Sequence, residues 1–242
     1  MTTSGKKTEH SFSPLPTGKP PLEQVVRRAL TDEVLTTLRK AIIAGAFGPG
    51  DHVPEARMAE QLGVSRVPVR EAMMALEREG LLAFDERGAA RVRDFTAADF
   101  EEIFTMRLAL EPMAARLACR KLQPADLAAF TENIRRMRQT EGLLDVTLLD
   151  VDFHDLVMKV ARHSLLSVCW GNLRSPLRVW LARLHRLEEG PRETRTITLR
   201  GHMKIVKTLQ SGDEEAAAEE MRGHLVSWRA RMPKSTWEGN VS

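Results

Sequence analysis

Between about Val25 and Ala46, apolar residues return at Leu30, Val34, Leu38 and Ile42, a spacing that lines one face of a helix. "GAFGPG" stops that helix. "PEARMAEQLG" predicts a short second helix closing at Gly63. Ser65 stands where a third helix needs its N-cap, and Pro68 falls in the first turn, where its missing N–H leaves no bond unmade. Val69, Met73 and Leu76, with Leu81 just beyond, form the apolar side of this third helix, which Gly80 ends after about Glu79. "LLAFDERGAARVRDF" then reads as two short strand-like runs around "DERG", a hairpin. The texture changes at "TAAD", residues 96–99, where Thr96 and Asp99 have the spacing of a capping box. From there to about Arg231 the period is helical throughout. Pro112 predicts a kink, "QPAD" and "SGDE" mark helix boundaries, and "EEGPRE" marks a looser joint. The domain boundary falls near Arg93 to Thr96.

Three short helices followed by a hairpin outline a winged helix-turn-helix, whose third helix enters the major groove of DNA. Arg66 and Arg70, four apart, project from one side of that helix's first turn, opposite its apolar side. Arginine is the side chain best suited to bidentate contact with guanine or phosphate. Arg87 and Gly88 occupy the hairpin tip, placed to reach the backbone or the minor groove. An exposed arginine pair is also a common solvated helix face, and a three-helix unit can be merely structural. Composition does not choose between these readings. The 242 residues are 43% hydrophobic and 29% charged, ordinary for a globular protein, and the net charge is only +3. Residues 1–94 carry 14 Lys and Arg against 13 Asp and Glu, so DNA binding rests on where the charges sit and not on their sum. Residues 1–22 are rich in Ser, Thr, Pro and Lys and read as a disordered tail, neither signal peptide nor membrane span. Cys119 and Cys169 make no disulfide framework and read as buried thiols in a reducing cytosol, with the protein cytoplasmic.

The helical part holds a second constellation. In "LLDVDFHDLV", Asp150 and His154 stand four apart, the spacing by which two successive turns hold one metal ion. "GHMKIVKTLQSGDEEAAAEEMRGHL" reads as two helices joined at Ser211-Gly212-Asp213, with His202 ten residues before Gly212 and His224 eleven after Asp213. An antiparallel hairpin would bring the two imidazoles to the same level. Three His and one Asp suit a borderline divalent ion such as zinc or nickel, with manganese or iron as alternatives. Taken singly, each histidine fits a surface position or a satisfied buried one better than a ligand's.

"PGDHVPEARMAEQLGVSRVPVREAMMALEREGLL…RGAARV" resembles the winged-helix domain of GntR-family bacterial transcription regulators. Through "MRLALEPMAARLA", "LDVDFHDLV" and the "GH…GD…A…H" ending, residues 96–231 are similar to the all-helical ligand-binding FCD domain of the FadR subfamily. The first likeness implies DNA contacts from Ser65, Arg66, Arg70, Arg87 and Gly88. Where some members carry a further operator-contacting Arg in the second helix, this chain has Ala56, with Arg57 beside it. The second likeness implies metal ligation by Asp150, His154, His202 and His224. It also implies a small carboxylate effector helped by Arg107, although an intrahelical salt bridge to Glu111 is compatible with that arginine as well. His163 and Gly201 replace the Asn and Glu usual at those positions, and Arg174, Arg178 and Arg183 lie on a helix placed to line the cavity.

The expected fold is therefore mainly α. Residues 23–94 form the winged helix-turn-helix, residues 95–232 an antiparallel helical bundle for metal and effector, and residues 233–242 a C-terminal tail. The expected function is ligand-responsive repression of transcription by a homodimer on a near-palindromic operator, with no catalysis. Two alternatives stay open. One is a hydrolase or lyase that uses the ion to activate water. The other is a sensor for which the ion itself is the signal.

Overall fold

A computed structural model describes residues 26–187 and 191–230. The expected tails, residues 1–22 and 233–242, lie outside the described residues, as do the first three residues of "EEGPRE" and the side chain of Arg183. Among the described residues the elements run α1 (Val26–Ala44), α2 (Glu55–Leu62), α3 (Arg66–Arg78), β1 (Leu82–Phe84), β2 (Ala90–Val92), α4 (Ala97–Lys121), α5 (Pro124–Gln139), α6 (Leu143–Val160), α7 (Ser164–Leu187), α8 (Pro191–Ser211) and α9 (Glu214–Ala230).

The first five elements share one core. Val34, Leu38 and Ile42 of α1 are buried against Val69, Met73 and Leu76 of α3, with Leu81 beneath them. Leu30 departs from the expected stripe. It is 37% exposed, one turn ahead of Val34 and outside the packed stretch. Gly63 ends α2 at φ 65°, a left-handed conformation that lets its N–H return to the last turn of the helix. β1 and β2 pair antiparallel with Leu82 opposite Val92, and the segment before α2 joins them through Val53 N–H to Ala90 O and Val92 N–H to Asp51 O. At the hairpin tip the Asp85 carboxylate accepts from the N–H groups of Arg87 (3.0 Å) and Ala89 (2.9 Å), which fixes the turn on which Arg87 and Gly88 are carried.

The remaining six helices form an antiparallel assembly in which α4 packs against α6, α7, α8 and α9, while α5 covers α6 and α8. Thr96 and Asp99 make the reciprocal box expected at the start of α4: Thr96 N–H donates to Asp99 Oδ2 (2.9 Å) and Asp99 N–H to Thr96 Oγ1 (3.2 Å). Phe100 of α4 stacks on Trp180 of α7 at 3.9 Å between centroids, joining those two helices with Trp228 of α9 at the edge. One expectation fails here. Cys119 is buried, but Cys169 is exposed, because the N-terminal part of α7 turns Leu165, Val168 and Cys169 outward together.

Candidate nucleic-acid interface and metal centre

The third helix divides as its sequence requires. Pro68, Val69, Ala72, Met73 and Leu76 are buried, whereas Arg66, Val67, Arg70, Glu71 and Met74 form the outer face. Arg66, Arg70 and Arg87 are exposed and make no ion pair among the described residues. Free guanidinium groups at the front of an exposed helix, with a third on the adjoining wing, form a surface that can meet a phosphate backbone and reach base edges. Ser65 occupies the N-cap position with extended backbone, yet its hydroxyl makes no capping bond and is exposed. Gly88 takes φ 76°, so the wing turn needs a residue without a Cβ there.

Asp150, His154, His202 and His224 converge. Each offers one ligand atom, and these atoms all lie within 4.8 Å of one another. The three imidazole centroids form a near-equilateral triangle of 5.4, 5.4 and 5.2 Å. The geometry follows from local structure. Asp150 and His154 face inward on successive turns of α6. The α8–α9 hairpin turns at Gly212 (φ 77°), where Asp213 Oδ1 accepts the N–H of Ala216, so His202 and His224 arrive side by side. His202 lies flat against Phe153, 3.7 Å between centroids at 7°, which fixes its ring.

The cluster fits a cation. His154 Nε2 and His202 Nδ1 are buried and have no hydrogen-bond partner among the described residues, an arrangement that costs about 1–3 kcal/mol per group unless something else accepts the lone pair or proton. Donors about 2.0–2.2 Å from a common ion stand roughly 3.3–3.6 Å apart in a tetrahedron and up to about 4.4 Å when opposite, so a set within 4.8 Å closes with shifts of about an ångström or less. Protonation is also suitable. Burial, followed by the neighbouring imidazoles in the case of His224, holds His202 and His224 below the ordinary histidine range. Burial pulls the Asp150 carboxyl upward, but the approach of His202 Nε2, 3.1 Å away, outweighs it and leaves the group well below the usual carboxylate range. These directions favour an ionised Asp150 and neutral His202 and His224, the forms in which such groups ligate.

Arg107 is buried beside this cluster, and its Nε donates to Glu111 Oε1 at 2.5 Å, so the intrahelical salt bridge is formed. Glu111 was legible in the sequence only as that partner. Its second oxygen lies 2.5 Å from His154 Nδ1, which leaves Nε2 of the same ring for the ion. A carboxylate behind a ligating imidazole fixes its orientation and raises its basicity. Burial pushes the Glu111 carboxyl up, yet the charge of Arg107 and the close contact with His154 overcome it and bring it down to about 2. Of the arginines on α7, Arg174 and Arg178 face α6 and pair with Asp152 and Asp155, on the side of α6 away from the cation cluster.

Gly201 explains how His224 reaches the cluster. A Cβ built on Gly201 would lie 2.5 Å from His224 Nδ1 and 3.0 Å from its Cε1, so any side chain there displaces the ring. His224 is the least buried of the four and borders a groove between α8 and α9, where it can be pushed. Gly201→Ala should therefore lower zinc affinity at least about tenfold, although alanine favours a helix interior by up to about 1 kcal/mol over glycine. Competition against a chromophoric chelator measures the first effect and far-ultraviolet circular dichroism the second. Unchanged zinc affinity would remove His224 from the ligand set.

Comparison with known proteins matches residues 25–92 to the family described as "Bacterial regulatory proteins, gntR family" and residues 102–227 to the FCD domain. The "Uncharacterized HTH-type transcriptional regulator YdhC" of Bacillus subtilis is 30% identical over 195 residues, covering 78% of this chain and 84% of that protein. The gluconate operon transcriptional repressor of Bacillus subtilis is 29% identical over 181 residues, covering 73% and 74%. Among solved structures, Escherichia coli McbR/YncC aligns with a TM-score of 0.71 at 25% identity, over 83% of this chain and 95% of that one. Among the described residues, no helix is long and apolar enough to cross a membrane.

Proposed function

Because the chain belongs to the gntR family of bacterial regulatory proteins and carries an FCD domain, it is a transcription regulator and not an enzyme, and we propose that it is a metal-dependent, effector-responsive repressor. The hydrolase and lyase alternatives lose their support, since the matched families and relatives are regulators. Residues 23–94 grip DNA, with Ser65, Arg66 and Arg70 on the recognition helix and Arg87 and Gly88 on the wing. A homodimer sets two such helices on the half-sites of a near-palindromic operator. Repression, in place of activation, is supported by relatives named as repressors of a gluconate and of a D-xylose operon. The regulator works in the cytoplasm, where operator DNA is found.

Residues 95–232 hold the regulatory site. Asp150, His154, His202 and His224 would bind one divalent ion, with zinc or nickel suited to three imidazoles and a carboxylate and manganese or iron as substitutes. The observation that carries the effector reading is charge. Arg107, Glu111 and Asp150 are buried together, one positive group against two negative, and a divalent ion held by imidazoles, which ligate as neutral rings, would turn that minus one to plus one. A buried net charge calls for a counter-charge, and a small carboxylate supplies it, reaching the ion and drawing on Arg107. Such an effector shifts operator affinity by its preference for one placement of the DNA-binding units over another.

Operator duplexes selected from a random pool, titrated by fluorescence anisotropy with metal-free protein, with zinc-loaded protein, and with zinc plus a panel of small carboxylates beginning with gluconate, test this reading. The expected result is that at least one acid changes affinity severalfold, and only when zinc is present. A change with zinc alone that no acid alters would make the ion itself the signal, and equal affinity under all conditions would refute metal-dependent regulation.

A further inference from the structure

Glu79 caps the C-terminal end of the recognition helix α3, and two parts of the molecule share its half-buried carboxylate. Arg39 of α1 grips it with two bonds, Nε to Oε2 at 2.8 Å and Nη2 to Oε1 at 2.5 Å. Ser175, on α7 and 1% exposed, donates its hydroxyl to Oε2 at 2.9 Å. The neighbouring Gly80 closes against the same turn of α7, where a Cβ would stand 3.6 Å from Pro176 Cγ. Burial alone would raise the Glu79 carboxyl, but Arg39 and Ser175 hold it below its ordinary value, so it remains an anion that both partners can grip.

The other face of the same stretch of α7 is bound to α6. Arg178 pairs with Asp152 and, at 3.5 Å, with Asp155, and Arg174 reaches Asp155 at 3.3 Å. Trp170 donates its indole N–H to Asp155 as well. Asp152 lies between Asp150 and His154 in the chain, and Asp155 follows His154 directly. A single helix segment, residues 170–178, therefore holds the polar outer edge of the helix that carries two proposed ligands and the end of the helix that presents Arg66 and Arg70.

We infer that α7 is the coupling element of this regulator, with Ser175 and Glu79 as the positioning joint through which the placement of α6 sets the placement of the recognition helix. Its regulatory use rests on the metal and effector reading above, but the joint itself does not. A shift of α6 moves Asp152 and Asp155, the arginines follow on α7, and Ser175 carries the displacement to Glu79 without any of these groups touching DNA or the ion.

The joint is tested without metal by hydrogen exchange of residues 75–81 in the full-length protein, compared among wild type, Ser175→Ala and the isosteric pair Asp152→Asn with Asp155→Asn. Local opening reports directly on such a tie, and exchange there should rise roughly threefold or more in both variants while residues 55–70 stay unchanged. The aspartate pair is decisive, because neither residue touches α3. Unchanged exchange at 75–81 in that variant overturns the coupling. In a second arm, operator affinity is measured in zinc and in EDTA. The ratio of the two should differ severalfold from one in wild type and move toward one in Ser175→Ala at equal zinc content. A ratio that differs from one in wild type and is unchanged in Ser175→Ala also overturns the coupling, whereas a ratio of one in both overturns the metal reading alone. If wild type takes up no zinc, the metal reading fails by itself, and the exchange experiment still decides the joint.

Discussion

Arg66→Ala and Arg70→Ala should each weaken specific operator binding by about 1–3 kcal/mol, roughly fivefold to 150-fold, the magnitude of a lost bidentate base contact. Both side chains are exposed and free of ion pairs among the described residues, so their removal breaks nothing within the fold. Alanine is also the better helix former at both positions, and the buried side of α3 is untouched. Loss of affinity would therefore belong to the interface and not to unfolding. Arg78, exposed in the last turn of the same helix, is a charge-matched control. Arg78→Ala should reduce binding to all duplexes slightly and equally, as a phosphate or purely electrostatic term does, whereas the Arg66 and Arg70 variants should lose discrimination at particular base pairs. Anisotropy competition between operator and scrambled duplex separates the two. Wild-type affinity and discrimination in both front-turn variants would show α3 to be a solvated structural helix.

His202→Ala should have the largest effect in the regulatory half. The ring is fully buried, stacks on Phe153 and faces Asp150, so its removal leaves a buried carboxylate without its nearest partner as well as a missing ligand. Destabilisation alone would not prove ligation. The informative quantity is the gain in Tm on adding zinc. A site filled at about a hundred times its Kd stabilises the folded protein by about 2.7 kcal/mol, and a chain of this size gains about 2–4 °C per kcal/mol. Wild type should therefore rise by about 5–10 °C on zinc addition. The variant should rise little and retain clearly less zinc after desalting. An undiminished rise in the variant would mean that the ion sits elsewhere.

Much of this was legible in the sequence wherever the controlling interactions are local. The division of α3 into a packed and an outer face follows from helical period alone, and Val69, Met73, Leu76 and Leu81 are buried as that period requires. The histidine pair was readable because a tight hairpin turns equal distances along the chain into equal heights. What escaped are contacts made across long separations. Glu111 meets His154 only because α4 crosses α6, and nothing in "MRLALE" distinguishes a carboxylate behind a ligand from an ordinary intrahelical partner of Arg107. The joint between Glu79 and Ser175 spans 96 positions of chain. Gly201 could be seen as unusual, but its reason, the space occupied by His224, exists only once α8 and α9 are paired. Cys169 misled because a helical stretch with Leu165 and Val168 looks like core, and only packing shows which side of α7 is covered.

The convergence of Asp150, His154, His202 and His224 on one cation is tested most directly by zinc-edge X-ray absorption of the desalted, zinc-loaded wild-type protein, together with its metal content. The expected spectrum shows nitrogen and oxygen neighbours with the outer-shell scattering of imidazole rings, at one zinc per chain. Sulfur among the neighbours, absence of imidazole scattering, or no retained zinc would contradict it.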